Sequence, residues 1–164
     1  MTKLLGIDPG NTHSAYVSID AKTCRPIAHG KVPNDDLLEA LYRDSISYDR
    51  ISIEMIGHYG TGMPAGKTVF DTCVWIGRFI EAANGRPQLV QRGPVKLHHT
   101  GQPRAKDPNV TQALIDRFAP GEPNRGKGTK ANPGWFHGFA ADVWQAYALA
   151  VYVADAQWTE EVPF

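Results

Sequence analysis

The chain of 164 residues carries 17 Lys and Arg against 17 Asp and Glu and is 42% hydrophobic, the composition of one globular domain able to bury a core without staples. Balanced charge gives no bulk attraction to nucleic acid. No apolar run approaches the roughly 20 residues that cross a bilayer, and no basic-then-apolar leader follows Met1, so a cytoplasmic location without a membrane partner is expected. Cys24 and Cys73 show no CxxC spacing, which argues against a thiolate zinc site or a disulfide framework and predicts two free, buried thiols.

Lys3 to Ile7 and Ser14 to Ile19 read as strands joined by a turn on Pro9-Gly10-Asn11, with Ala28 to Val32 a third strand of the same antiparallel meander. Asn34-Asp35-Asp36 offers an N-cap to a helix carrying Leu37, Leu38, Leu41 and Ile46. Arg50 to Met55 alternates and is rich in β-branched residues, as a strand ending near Glu54 would be. Glycines and a proline make 57–66 a loop, and helical apolar spacing follows from Lys67 to Ala83. That helix is apolar on more than one face through Val74, Trp75, Ile76 and Phe79, which makes it a candidate dimer surface.

Gln88 to Val90 reads as a further strand, Pro108 to Phe118 as a short amphipathic helix, 120–133 as a loop, and Phe139 to Trp158 as a helix apolar enough to lie across a sheet. The order predicts an α/β domain spanning 1–164, a mixed five-stranded sheet flanked by helices. Nine of the 17 basic residues fall between Arg86 and Lys130, so a neutral chain can still present one positive face to a polyanion.

The chemistry concentrates in carboxylates. Asp8 ends the first strand before Pro-Gly, and Glu54 ends an Ile-Ser-Ile strand before the Gly-rich loop. Like charges brought together at neighbouring strand ends are costly unless a cation neutralises them, and hard oxygen ligands suit Mg²⁺ or Mn²⁺. Asp142, at the start of the last helix, can supply a third carboxylate. His13, His98, His99 and His137 show no HxH or HExxH spacing.

In this order Gly6-Ile7-Asp8-Pro9-Gly10, Ile53-Glu54, Val95-Lys96 with Ala105-Lys106, and Asp142 with Ala146 to Ala150 resemble RuvC-type Holliday junction resolvases of the ribonuclease H-like superfamily, over roughly residues 3 to 155. The extended loop after Pro120 is similar to virus-type members. The resemblance implies a ribonuclease H-like sheet and a homodimer acting on branched DNA, four-way junctions above all. It also implies an endodeoxyribonuclease making paired symmetric nicks with two Mg²⁺ ions, for which Mn²⁺ can substitute.

By the same resemblance Asp8, Glu54 and Asp142 are catalytic metal ligands, and Asp8 bridges the two ions. Lys106 steadies charge at the phosphate, and Lys96, ending a strand, grips a phosphate. Gln145 departs from the pattern, standing where the family carries a second acidic or histidine ligand on the last helix. Further DNA contacts are expected from Arg104 and Lys130, with His58 and Tyr59 stacking on an unpaired base. Trp135, in a loop, is another residue placed to touch DNA.

Three other readings stand beside this one. An actin- or sugar-kinase-like ATP-binding protein shares the Gly-Ile-Asp-x-Gly turn but needs a second such domain; a resolvase-like nuclease could process RNA precursors; and a junction-binding protein with reduced catalysis is consistent with Gln145.

Overall fold

The computed structural model describes residues 1–57 and 65–159, with the side chains of 157–159 left out. His58 and Tyr59 lie outside the described residues. In chain order the elements are β1 (Lys3–Asp8), β2 (His13–Asp20), β3 (Pro26–Pro33), α1 (Asn34–Tyr42), β4 (Arg50–Met55), α2 (Lys67–Ala82), β5 (Gln88–Gln91), α3 (Arg92–Thr100), α4 (Asp107–Phe118) and α5 (Val143–Thr159). A tight turn at Pro123–Gly126, with Asn124 and Arg125 in the left-handed region, precedes the last helix.

The strands form one mixed sheet in the order β3-β2-β1-β4-β5. β1, β2 and β3 pair antiparallel as the meander predicted, while β4 and β5 add to β1 in parallel. Alternation along β1 divides the core. Leu4 packs with α5 and α4 on one face; Leu5 and Ile7 pack with Leu37, Leu41, Ile76 and Phe79 of α1 and α2 on the other. α5 crosses the sheet through small residues, with Ala146, Ala148, Ala150 and Ala154 fully buried.

Its closest approach explains Gly6, where a Cβ would stand 2.5 Å from the Ala146 carbonyl oxygen and 3.0 Å from the Ala150 Cβ. The α5 backbone therefore rests on β1 two residues before Asp8.

Several expectations are corrected. Asn34 does not cap α1. It is buried, accepts a hydrogen bond from Ser14 Oγ at 2.6 Å and donates Nδ2 to the Gly10 carbonyl at 2.9 Å, while Gly10 N–H donates to Ser14 Oγ at 3.1 Å. Asn34 thus anchors the turn after Asp8 instead of the helix end. Ile46 falls beyond α1 and packs beside it.

Lys96 does not end a strand, because a helix, α3, occupies 92–100. Arg92-Gly93-Pro94 reads as a breaker, yet Pro94 sits in the first helical turn, where no intrahelical N–H is required. α5 begins at Val143, not Phe139, since Gly138 (φ +79°) and Ala141 (φ +46°) turn the chain before it. Of the proposed dimer surface, Ile76 and Phe79 belong to the core. Of the predicted set Val74 is exposed, and Phe70, outside it, adds further exposed apolar area on α2.

Cys24 is buried, and burial pushes its thiol up to about 11; Cys73 is only partly buried. Trp135 is an internal packing residue, stacked on Phe118 and donating Nε1–H to Tyr147 Oη at 3.0 Å. The same buried hydroxyl donates to the Cys24 carbonyl at 2.9 Å. Tyr147→Phe strands both partners and is expected to cost about 1–3 kcal/mol, read from the urea midpoint. A midpoint equal to wild type would mean that water replaces the hydroxyl.

Candidate functional site

β1 and β4 are parallel, with Ile7 opposite Ile53, so the next residue of each strand, Asp8 and Glu54, emerges at neighbouring strand ends. Gly6 and Leu4 face α5, which by alternation puts Asp8 on that face. Asp8 also stands in a cross-sheet row with Ala15 and Lys31, since Asp8 pairs with Ala15 and Ala15 with Lys31. Asp8 is 8% exposed, and its carboxyl is held well above the usual carboxylate range. Burial is the main cause and the charge of Glu54 the next; Arg92 opposes both, and Asp142 adds a smaller push.

Two cations flank the acids. On the β3 side Lys31 Nζ lies 2.6 Å from Asp142 Oδ2, a pair exposed enough to be worth no more than about 1 kcal/mol. On the β5 side Arg92, the first residue of α3, places Nε 2.8 Å from Glu54 Oε1 and Nη2 3.7 Å from Asp8 Oδ1. The short Nε contact is an ion pair without hydrogen-bond alignment, so Nε has no hydrogen-bond acceptor; Nη2 donates to Glu54 Oε2 at 3.4 Å. Arg92 Nη1 is 3.8 Å from Asp107 Oδ2, and Lys96 Nζ is 3.5 Å from Asp107 Oδ1. Asp8, Glu54 and Arg92 line a cleft of about 270 Å³ together with Pro9, Thr68 and Thr72.

Of the residues expected at the site, the fold brings Asp8 and Glu54 together and sets Asp142 close enough for its charge to act on Asp8. Gln145 is buried in the first turn of α5. Among the described residues, no three His, Cys, Asp or Glu side chains converge into a ready-made metal cluster. The donor chemistry nevertheless fits a divalent ion at Asp8 and Glu54. Two adjacent carboxylates, one of them buried and driven toward its neutral form by the other, are relieved by a cation bound between them.

Lys106 is the exposed N-cap of α4, and Arg104 and Lys130 are exposed. Lys96 is only 17% exposed at its side chain and is turned toward Asp107. His99 is partly buried, with Nε2 2.8 Å from the Ala148 carbonyl; burial pushes its imidazole down to about 4.

The sequence reading missed Arg92, Asp107 and Lys31 as members of the site. For Arg92 a signal existed. It follows β5 directly, beside the strand that ends near Glu54, so correct strand order would have placed a cation next to that acid. Lys31 lies two strands from Asp8, and its meeting with Asp142 depends on where α5 starts.

No family model and no curated protein matches the sequence. The structure is similar to RuvC of Thermus thermophilus, with a TM-score of 0.63 and 16% identity over 96% of this chain and 97% of that one. It is also similar to T. thermophilus RuvC in complex with Holliday junction substrate, with a TM-score of 0.65 and 15% identity over 96% of each chain. The mixed five-stranded sheet and its flanking helices are thus the RuvC-like, ribonuclease H-like fold.

Proposed function

We propose that this chain is a structure-specific endodeoxyribonuclease that resolves four-way DNA junctions by paired nicks, dependent on Mg²⁺ or Mn²⁺. The observation that carries the reading is the pairing of Asp8 and Glu54 at adjacent parallel strand ends, facing α5 in a RuvC-like fold. Support for the substrate comes from the similar fold of a RuvC bound to a Holliday junction and from the basic segment between Arg86 and Lys130.

Asp8 and Glu54 would hold one ion, with Asp142 and the neutral oxygen of Gln145 the nearest candidates for a second. When bound, such ions supply acidified water and positive charge at a scissile phosphate. The chain's own residues do the rest. Asp8 and Glu54 are fixed by the sheet, so their geometry needs little reorganisation. Lys106 presents an ammonium at the exposed N-terminus of α4, where the helix dipole also favours phosphate, and Arg104 and Lys130 add salt-sensitive backbone contacts. A junction with two-fold symmetry is matched by a symmetric dimer, for which exposed Phe70 and Val74 of α2 offer apolar area. Such a nuclease would work in the cytoplasm.

The test is incubation of the protein with a synthetic four-way junction, a matched linear duplex and an RNA duplex, each with Mg²⁺, Mn²⁺ or chelator. Symmetric nicks in the junction alone are expected; RNA cleavage or ATP turnover in its place overturns the reading. Binding without cleavage would assign a junction-binding role, the reading that Gln145 favours. Gln145→Asp is expected to lower the Mg²⁺ needed for half-maximal cutting by about tenfold, since ligand charge count sets affinity for hard cations. It should also lower the melting temperature in chelator, because the new charge is buried. An unchanged Mg²⁺ requirement removes Gln145 from metal binding.

A further inference from the structure

We infer that Arg92 is a resident counter-cation of the Asp8–Glu54 pair, displaced when a divalent ion enters, and that Asp107 is the acceptor to which its guanidinium moves. The inference rests on the reading of Asp8 and Glu54 as ligands of such an ion, and goes beyond it by giving this chain its own cation for the metal-free state.

Arg92 occupies both oxygens of Glu54, through Nε at 2.8 Å and Nη2 at 3.4 Å, and reaches toward Asp8 at 3.7 Å. A divalent ion that ligates Glu54 needs those same oxygens, and two cations cannot share them closely without repulsion. Arg92 must therefore let go.

Its backbone is fixed as the first residue of α3, directly after β5, so the side chain is what moves. The alternative acceptor stands beside it. Asp107 Oδ2 is 3.8 Å from Nη1, and Asp107 Oδ1 is buried with no hydrogen-bond partner, although Lys96 Nζ lies 3.5 Å away. Asp107, with its side chain half-exposed, is thus a carboxylate in a position to receive a planar donor that already half-faces its Oδ2.

The two residues should consequently affect metal affinity in opposite directions. Titration calorimetry with Mn²⁺ on the DNA-free protein is expected to show about tenfold tighter binding for Arg92→Gln, which removes the competitor, and several-fold weaker binding for Asp107→Asn, which removes its refuge. In the Arg92→Gln background the Asp107→Asn effect should vanish. Binding that is unchanged or weaker in Arg92→Gln overturns the displacement, as does failure of both wild type and Arg92→Gln to bind Mn²⁺. Persistence of the Asp107→Asn effect without Arg92 overturns the acceptor role.

Melting in chelator reads the other half: Arg92→Gln lowers the midpoint, and Glu54→Gln added to it restores part of the loss. If Arg92→Gln does not fold, Arg92→Lys, which keeps the charge and loses the fork, is expected to bind Mn²⁺ more tightly than wild type; weaker binding overturns the proposal. None of these readouts uses DNA. A protein that shows these shifts and cuts no junction refutes the nuclease reading alone, whereas one that cuts junctions without them refutes the role of Arg92 alone.

Discussion

Gly6→Val is expected to destabilise the protein by about 4 kcal/mol, roughly 8–16 °C in melting temperature for a chain of this size. A Cβ at this position meets a main-chain carbonyl oxygen of Ala146 at 2.5 Å, and a main-chain atom in a helix packed on the sheet cannot swing aside as a long side chain can. Either β1 or α5 must shift, and both carry the site, since Asp8 lies two residues beyond Gly6 and Gln145 immediately precedes Ala146. Cleavage should fall even in the fraction that remains folded. Gly6→Ala should produce a smaller loss of the same kind. Adding Ala150→Gly relieves only the 3.0 Å contact to the Ala150 Cβ, so it should restore little. Full rescue by Ala150→Gly, or a melting point within about 2 °C of wild type for Gly6→Val, would show that the helix backbone is not what limits this position.

The residues that were readable in the sequence share one property: their placement depends on local pattern. An apolar run stopped by Pro-Gly located the strand that ends at Asp8, period-two alternation the strand that ends near Glu54, and the high apolar content of α5 a helix lying across a sheet. Asp142 was found at the start of that helix, but its ion pair with Lys31 was not, because the pair spans 111 positions and requires three strands in register. Arg92 failed for a different reason. Its neighbours Gly93 and Pro94 suppress a helical reading, so a residue that opens α3 beside Glu54 reads only as one more charge of the basic stretch facing a polyanion. Asn34 shows the reverse case, where a capping residue type in a capping context spends its side chain on Gly10 and Ser14 instead.

These misses have a common electrostatic meaning. The sequence presents the site as a set of acids in need of a metal, whereas the fold surrounds those acids with cations of its own, Lys31 at one edge and Arg92 at the other. A partly neutralised resting state follows, with Lys31 and Arg92 set against the three carboxylates Asp8, Glu54 and Asp142. It explains how a buried Asp8 is tolerated in a protein of modest size, because the cost of desolvating one carboxylate beside another is offset in part by a guanidinium within 4 Å.

Asp8→Asn should therefore separate function from stability. Cleavage is expected to fall by at least about 10³-fold, since an amide cannot supply the charge that holds a divalent cation. Junction affinity should stay nearly unchanged, because the phosphate contacts proposed above lie with Lys106, Arg104 and Lys130. Stability should move the other way. The native carboxyl of Asp8 is held above its unfolded value by burial first and by Glu54 second, so the folded state favours the protonated form. Its contribution to stability is full below the unfolded pKa and is lost as pH rises through the folded one. At neutral pH in chelator this raised folded pKa makes Asp8 a net cost, and Asp8→Asn should melt higher than wild type by a few degrees, with the gap closing as the pH is lowered toward 4. A variant that melts lower than wild type at neutral pH would make Asp8 a structural acid whose bond to Arg92 outweighs its desolvation. Loss of junction binding by the same variant would move Asp8 from the chemistry to the DNA interface.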